Sequence, residues 1–127
     1  MKPGGSKTGL IEAFSDAFSG IVTTSHERNF RIELCFAVAA FVLGIAFGNT
    51  FEQWLVVAVC IGLVLGGECV NSAVEAVVDL VSPDEHPLAK RAKDAAAGGV
   101  LLFSIAAFVV GVALYLPPIL RLIGLIG

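Results

Sequence analysis

The sequence predicts an all-α integral membrane protein with three transmembrane helices and an N-terminal amphipathic surface helix. Three observations carry that prediction. Of the 127 residues, 57% are hydrophobic, and the mean hydropathy of +0.89 is too high for a soluble domain of this size. Three apolar stretches approach or exceed the roughly 20 residues that a bilayer-spanning helix needs. Upstream of them, Leu10, Ile11, Phe14, Phe18, Ile21 and Val22 recur at helical spacing, opposite Glu12, Ser15, Asp16 and Ser19.

The amphipathic segment covers residues 9–25 and has no Lys or Arg between Thr8 and Glu27. Phenylalanine burial in the interface, or packing on the other helices, must therefore hold it in place. The first span is placed at 30–48. Its apolar centre, Ile32 to Phe47, is short and borrows length from Phe30 and the preceding turn. The second span is placed at 53–81, roughly 40 Å at about 1.5 Å per residue. That exceeds the hydrocarbon thickness, so its last turns are expected to reach the interface. The third span is placed at 95–116, with Pro117 and Pro118 expected to stop it. Together the segments are expected to form one domain, 1–127. Residues 1–30 lack the compact apolar core of a cleavable signal, so insertion is expected to use the spans themselves. The pairs Gly44/Gly48 and Gly62/Gly66 have the G-x-x-x-G spacing of close helix packing.

The net charge is −3, without a basic tail, which argues against a nucleic-acid partner. Cys35, Cys60 and Cys69 are odd in number and form no C-x-x-C, so they read as small apolar side chains. Basic residues set the expected orientation. Lys2, Lys7, Arg28 and Arg31 precede the first span, and Lys90, Arg91 and Lys93 lie between the second and third. The "GNTFEQ" turn has no basic residue, and only Arg121 follows the third span. The N-terminus and the 82–94 loop are therefore expected in the cytoplasm, and the C-terminus outside.

The second span ends in "GGECVNSAVEAVVDL". With Glu68 at 0° on a helical wheel, Asn71 falls at about 300°, Ser72 at about 40°, Glu75 at about 340° and Asp79 at about 20°. This is one polar stripe. Val70, Val74, Val77 and Val78 occupy the other side. A carboxylate inside a membrane helix costs about 2.5 kcal/mol or more, and its default reading is functional. Interhelical hydrogen bonding explains a single such residue. Three carboxylates with Asn and Ser on one face point to a site. Clustered carboxylates repel unless protonated or bridged by a cation, and carboxylate and amide oxygens suit Mg²⁺ shared with substrate phosphates.

The following loop, "SPDEHPLAKRAKDAAAGG", carries donors for phosphate oxygens in Lys90, Arg91 and Lys93. Asp94 is expected to orient Lys93. Lys90 and Arg91 serve equally well as topology signals, and His86 reads as a loop residue rather than a ligand. In "HERNFRIE", Glu27 and Arg31 are spaced for an i, i+4 ion pair. Glu27 is also expected at the depth of the acidic stripe, where it can join a metal site. No P-loop, kinase glycine loop or H-E-x-x-H is present, so any phosphate chemistry must use carboxylates, metal and lysine.

"ERNFRIE", "ECVNSAVEAVVDL" and "HPLAKRAKDAAAGGVLL" together resemble the small prokaryotic lipid kinases, diacylglycerol kinase and undecaprenol kinase, over about residues 9–116. The resemblance implies a homotrimer with active sites shared between protomers, in the bacterial cytoplasmic membrane. It implies transfer of the ATP γ-phosphate to a membrane lipid hydroxyl, with Mg²⁺ as cofactor. Glu68 matches the catalytic base, and Glu27 and Glu75 match metal and nucleotide ligands. Asp79, Lys93 and Asp94 match nucleotide-contacting positions. Asn71 matches a polar active-site residue, Ser72 stands beside it, and Glu33 matches an acidic position near the site. Arg31, His86, Lys90 and Arg91 are peripheral candidates.

The surface helix departs from the Gram-negative diacylglycerol kinases, which carry basic residues there. Thr8, Ile11, Phe18 and Ile21 hold those positions here, so contacts made by those basic residues do not transfer. "ERNFR" and "HPLAKRAKD" are closer to the undecaprenol kinase branch, which makes undecaprenol the expected acceptor and diacylglycerol the alternative. A remoter reading is a cation transporter or channel subunit, with the stripe lining its path. A simple cation path has no use for an A-K-D segment beside that stripe.

Overall fold

The computed structural model describes residues 9–127. Lys2 and Lys7, used above for orientation, lie outside the described residues. Four helices follow one another: α1 Leu10–Thr24, α2 Arg28–Phe47, α3 Phe51–Val81 and α4 Pro87–Leu122. The last three are long and apolar enough to cross a membrane.

Local sequence explains the boundaries. After α1, the amide of Glu27 bonds the Thr24 carbonyl at 2.9 Å and turns the chain into α2. α2 ends at Gly48, whose φ of +69° is the left-handed conformation that glycine adopts most cheaply. A reciprocal capping box between Thr50 and Gln53 starts α3. α3 stops at Val81 because Pro83 disfavours helical backbone at Ser82. α4 starts with Pro87 at its first position, and His86 Nδ1 accepts a hydrogen bond from the Leu88 amide at 3.1 Å.

α4 corrects the sequence reading at both ends. It begins at Pro87, not near 95, so Lys90, Arg91, Lys93 and Asp94 are helical and the connection shrinks to residues 82–86. The Pro87 and His86 start signals outweigh the local polarity. At its other end the helix runs through Pro117 and Pro118 to Leu122. Each proline removes one backbone donor. Two adjacent prolines confine that loss to one turn, which a membrane helix tolerates.

α3 packs chiefly on α4, and α2 touches both. The inward face of α3 is marked by its buried residues Val57, Val64, Glu68 and Asn71, at spacings of seven, four and three. α4 answers with buried Val100 and Tyr115, and α2 with Phe30 and Gly44. Gly67 lies on the inward face of α3, where a Cβ would sit 2.8 Å from the Phe103 ring. Gly44 makes a similar close approach, with Trp54 Cη2 2.6 Å from where a Cβ would be. The expected packing at Gly62/Gly66 is not made within the chain. Those two glycines border an open groove between α3 and α4, where a Cβ would meet nothing within 4 Å, while Gly48 is a cap.

At the end of the bundle remote from the acidic residues, the Tyr115 hydroxyl donates to the Ala40 carbonyl at 2.9 Å. It accepts from Asn49 Nδ2 at 3.0 Å. One side chain of α4 thus ties α2 to the α2–α3 turn. On α1, Leu10, Ile11, Phe14 and Phe18 are 68–86% exposed, so the chain's own helices do not cover them.

Tyr115→Phe removes the hydroxyl while keeping the ring. It is expected to lower stability by about 1–2 kcal/mol, read as a lower melting temperature in micelles. An unchanged melting temperature would contradict the clip.

Candidate active site

The polar stripe of α3 continues the inward face that holds Val57 and Val64. Glu68 and Asn71 retain only 3% and 5% of their surface. One turn on, Ser72 is half-buried, and Glu75 and Asp79 are exposed. The stripe therefore runs from a dry end at Glu68 to an open end at Asp79.

Asn71 Nδ2 donates to Glu75 Oε1 at 3.0 Å, one turn along the same helix. Glu27 sits at the N-cap of α2 in extended backbone, outside the helix, and its Oε1 accepts from the Ser72 hydroxyl. This contact joins the start of α2 to the stripe. The anticipated Glu27–Arg31 ion pair does not form. Among the described residues the ion pairs are Lys90–Asp94 and Lys93–Asp79. The cap position turns the Glu27 side chain toward α3, and Arg31 stays exposed.

The second ion-pair expectation changes too. Lys93 Nζ meets Asp79 Oδ1 at 2.5 Å, across the α3–α4 connection. Asp94 pairs with Lys90 instead of orienting Lys93. The cause is the early start of α4, since adjacent helical residues point about 100° apart whereas i and i+4 share a face. Both partners of the Lys90–Asp94 pair are largely exposed. His86 caps α4, and Arg91 is exposed with no ion pair. The structure thus brings Glu27, Asn71, Ser72 and Glu75 together and adds the Asp79–Lys93 pair. Lys90, Arg91, Asp94, His86 and Arg31 lie outside that group.

Glu33, half-buried on α2, accepts from Ser104 Oγ on α4 at 2.8 Å. Sequence reasoning missed Ser104, which sits in an apolar run. A signal was available, because Val100, Ser104, Ala107, Gly111 and Tyr115 recur at spacings of three and four on one face of α4.

Two buried oxygens, Glu68 Oε2 and Asn71 Oδ1, have no hydrogen-bond partner among the described residues. Each such atom costs about 1–3 kcal/mol unless a donor from outside satisfies it. Among the described residues, no three His, Cys, Asp or Glu are grouped tightly enough for an all-protein metal cage. Mg²⁺ binds through one or two carboxylates, water and substrate phosphate rather than through such a cage. Glu27 and Glu75 offer such a pair of carboxylates beside Ser72 and Asn71.

Residues 15–115 match the family described as prokaryotic diacylglycerol kinase. The chain belongs to that family. It is 36% identical to the undecaprenol kinase of Bacillus subtilis over 109 residues, which is 85% of this chain and 89% of that protein. It is 42% identical to a diacylglycerol kinase of Synechocystis over 115 residues, 89% of this chain but 66% of that longer protein. A diacylglycerol kinase of Sinorhizobium is 36% identical over 85 residues, covering 67% of this chain and 62% of its own length. With its three apolar helices, the protein is therefore a multi-pass membrane lipid kinase, a phosphotransferase with an alcohol acceptor.

Glu27→Gln and Ser72→Ala are each expected to slow lipid phosphorylation. The double variant is expected to lose less than the product of the two single losses, because one contact is being removed twice. Independent, multiplying losses would contradict the contact.

Proposed function

We propose that the protein transfers the γ-phosphate of ATP to the hydroxyl of undecaprenol at the cytoplasmic face of a bacterial inner membrane. The observation that carries this reading is the graded stripe of α3, dry at Glu68 and open at Asp79. A hydrocarbon layer of about 30 Å that begins at Trp54 ends about 20 residues later, near Val74. Glu68 then lies about 9 Å inside the apolar layer. Glu75 and Asp79 reach water. A lipid alcohol arrives at the dry end and a soluble nucleotide at the open end.

Each side chain has a role on that axis. Glu68 accepts the proton of the lipid hydroxyl as the oxygen attacks phosphorus. Its unpartnered Oε2 is free to receive that donor. Asn71 holds Glu75 through its amide and offers its own free oxygen to the same pocket. Lys93, held by Asp79, neutralises phosphate charge. Glu27 and Glu75 would hold Mg²⁺, which when bound would offset charge on the nucleotide phosphates. Glu33 borders the acceptor side, and Asp94, Lys90, Arg91, Arg31 and His86 stand further out as nucleotide or surface contacts.

Arg28, Arg31, Lys90, Arg91 and Lys93 cluster where α2 and α4 begin, against Arg121 at the far end. This supports a cytoplasmic site and an external C-terminus. α1, with its exposed apolar residues, lies in the membrane surface. The working unit is a homotrimer with shared sites. Gly62 and Gly66 leave open space in a groove beside α4, which favours close approach by another helix.

Undecaprenol is favoured because the similarity to the Bacillus subtilis undecaprenol kinase runs nearly the whole length of both chains. Diacylglycerol is the second reading, favoured by the higher identity to the Synechocystis diacylglycerol kinase. Purified protein in mixed micelles with Mg-ATP is expected to phosphorylate undecaprenol more efficiently than diacylglycerol. The opposite preference would transfer the protein to diacylglycerol turnover. Glu68→Gln is expected to lower the rate at least about 100-fold. Removing Mg²⁺ with a chelator is expected to abolish turnover, and restoring it to recover the rate.

A further inference from the structure

A cavity of about 610 Å³ lies between α2, α3 and α4. Of the side chains lining it, only Glu33, Cys60, Ser104 and Tyr115 carry polar atoms. Tyr115 is fully engaged at the end remote from the acidic stripe, with Ala40 and Asn49. Seven residues along α2 from Ala40, about 10 Å by helical rise, Glu33 and Ser104 form the polar pair nearest the stripe.

Ser104 has a local alternative. Its hydroxyl lies 3.0 Å from the Val100 carbonyl, the usual way a serine satisfies itself within a membrane helix. A hydroxyl has one proton to give, and an ionised carboxylate is the stronger acceptor. The bond to Glu33 is therefore not needed to satisfy Ser104. Glu33 is the partner that depends on it, since among the described residues no other side chain hydrogen-bonds its carboxylate. The bond engages one oxygen of Glu33 and fixes the carboxylate at the wall of the apolar cavity, whose α3 side ends at Val64 and Leu65, about one turn before Glu68.

From this geometry we infer that Ser104 is a positioning residue for the acceptor side of the reaction. Its hydroxyl holds Glu33 so that the second carboxylate oxygen presents to the lipid alcohol entering beside Glu68. The inference rests on the lipid kinase reading proposed above. It assigns no contact with nucleotide to Ser104, because the nucleotide-side groups Asp79 and Lys93 lie at the open end of the stripe, more than two turns along α3 from Glu68.

An isosteric pair of variants tests it. Ser104→Thr keeps the hydroxyl, and Ser104→Val replaces it with a methyl of similar shape. In wild-type protein and both variants, KM for the lipid alcohol and KM for ATP are measured separately. Ser104→Val is expected to raise the lipid KM or lower kcat by about tenfold in all, with the ATP KM unchanged. Ser104→Thr is expected to restore most of that loss. An infrared difference spectrum supplies a readout independent of turnover. Ser104→Val is expected to shift a carboxylate stretching band, and the shift is expected to vanish in a Glu33→Gln background.

Wild-type kinetics in Ser104→Val, or equal losses in the Thr and Val variants, would overturn the inference while leaving the kinase reading intact. A parallel rise in both KM values would also overturn it, by making Ser104 a general packing residue. A wild-type protein that phosphorylates neither lipid would overturn the kinase reading first, and this inference with it.

Discussion

The structure depends on one unfavourable placement: the Glu68 carboxyl, 3% exposed, on the inward face of an otherwise apolar helix seam. Two valines hold the positions above it on that face. A third valine there would pack better and cost nothing in desolvation. Everything around Glu68 reads as a way of living with that cost. Asn71 follows one turn on, then Ser72 and Glu75, so that polarity rises steadily toward water. Glu27 arrives from a second helix start, and Glu33 from the same helix one to two turns further on. Neighbouring carboxylates would destabilise an empty seam. On the function proposed above, a cation held together with the substrate phosphates would bring the opposite charge they need.

Helix lengths then do the positioning. α3 has 31 residues, and α4 has 36. Both exceed a bilayer crossing of roughly 20 residues. Both overrun it at the end where the Asp79–Lys93 ion pair joins the two helices, and α4 also runs on past Pro117 and Pro118 at the other end. At the opposite end Tyr115 and Asn49 hold α2, α3 and α4 in register. Fixed at both ends, the seam leaves little freedom at Glu68. Few side chains are fully buried within one chain. Much of the apolar surface is left uncovered by the chain's own helices.

Much of this was legible in the residues. Apolar runs of the right length revealed the three spans, since a bilayer demands them. The 100° spacing of Glu68, Asn71, Ser72, Glu75 and Asp79 revealed one stripe, because a helix has no other way to arrange them. Three features were not legible. The start of α4 was hidden because Lys90, Arg91, Lys93 and Asp94 look like a loop, whereas Pro87 and His86 had already begun a helix. That error carried into the partner of Lys93, since i and i+1 residues are neighbours in a loop but not on a helix. Ser104 was hidden because one serine in an apolar span has a carbonyl of its own helix to bond, and only the fold shows Glu33 facing it.

The central claim is that the stripe of α3 crosses the boundary between hydrocarbon and water, with Glu68 on the dry side. Nitroxide labels on the outer face of α3 test it most directly. In a background without Cys35, Cys60 and Cys69, single replacements Leu63→Cys, Val70→Cys, Val77→Cys and Val81→Cys would be labelled in bilayers. Their collision rates with oxygen and with a water-soluble nickel chelate would then be compared. The account predicts oxygen-dominated collisions at 63 and 70 and chelate-dominated collisions at 77 and 81, with the crossover near 74. Oxygen-dominated collisions as far as 81 would bury the whole stripe, put the nucleotide-side groups out of reach of water, and contradict the account.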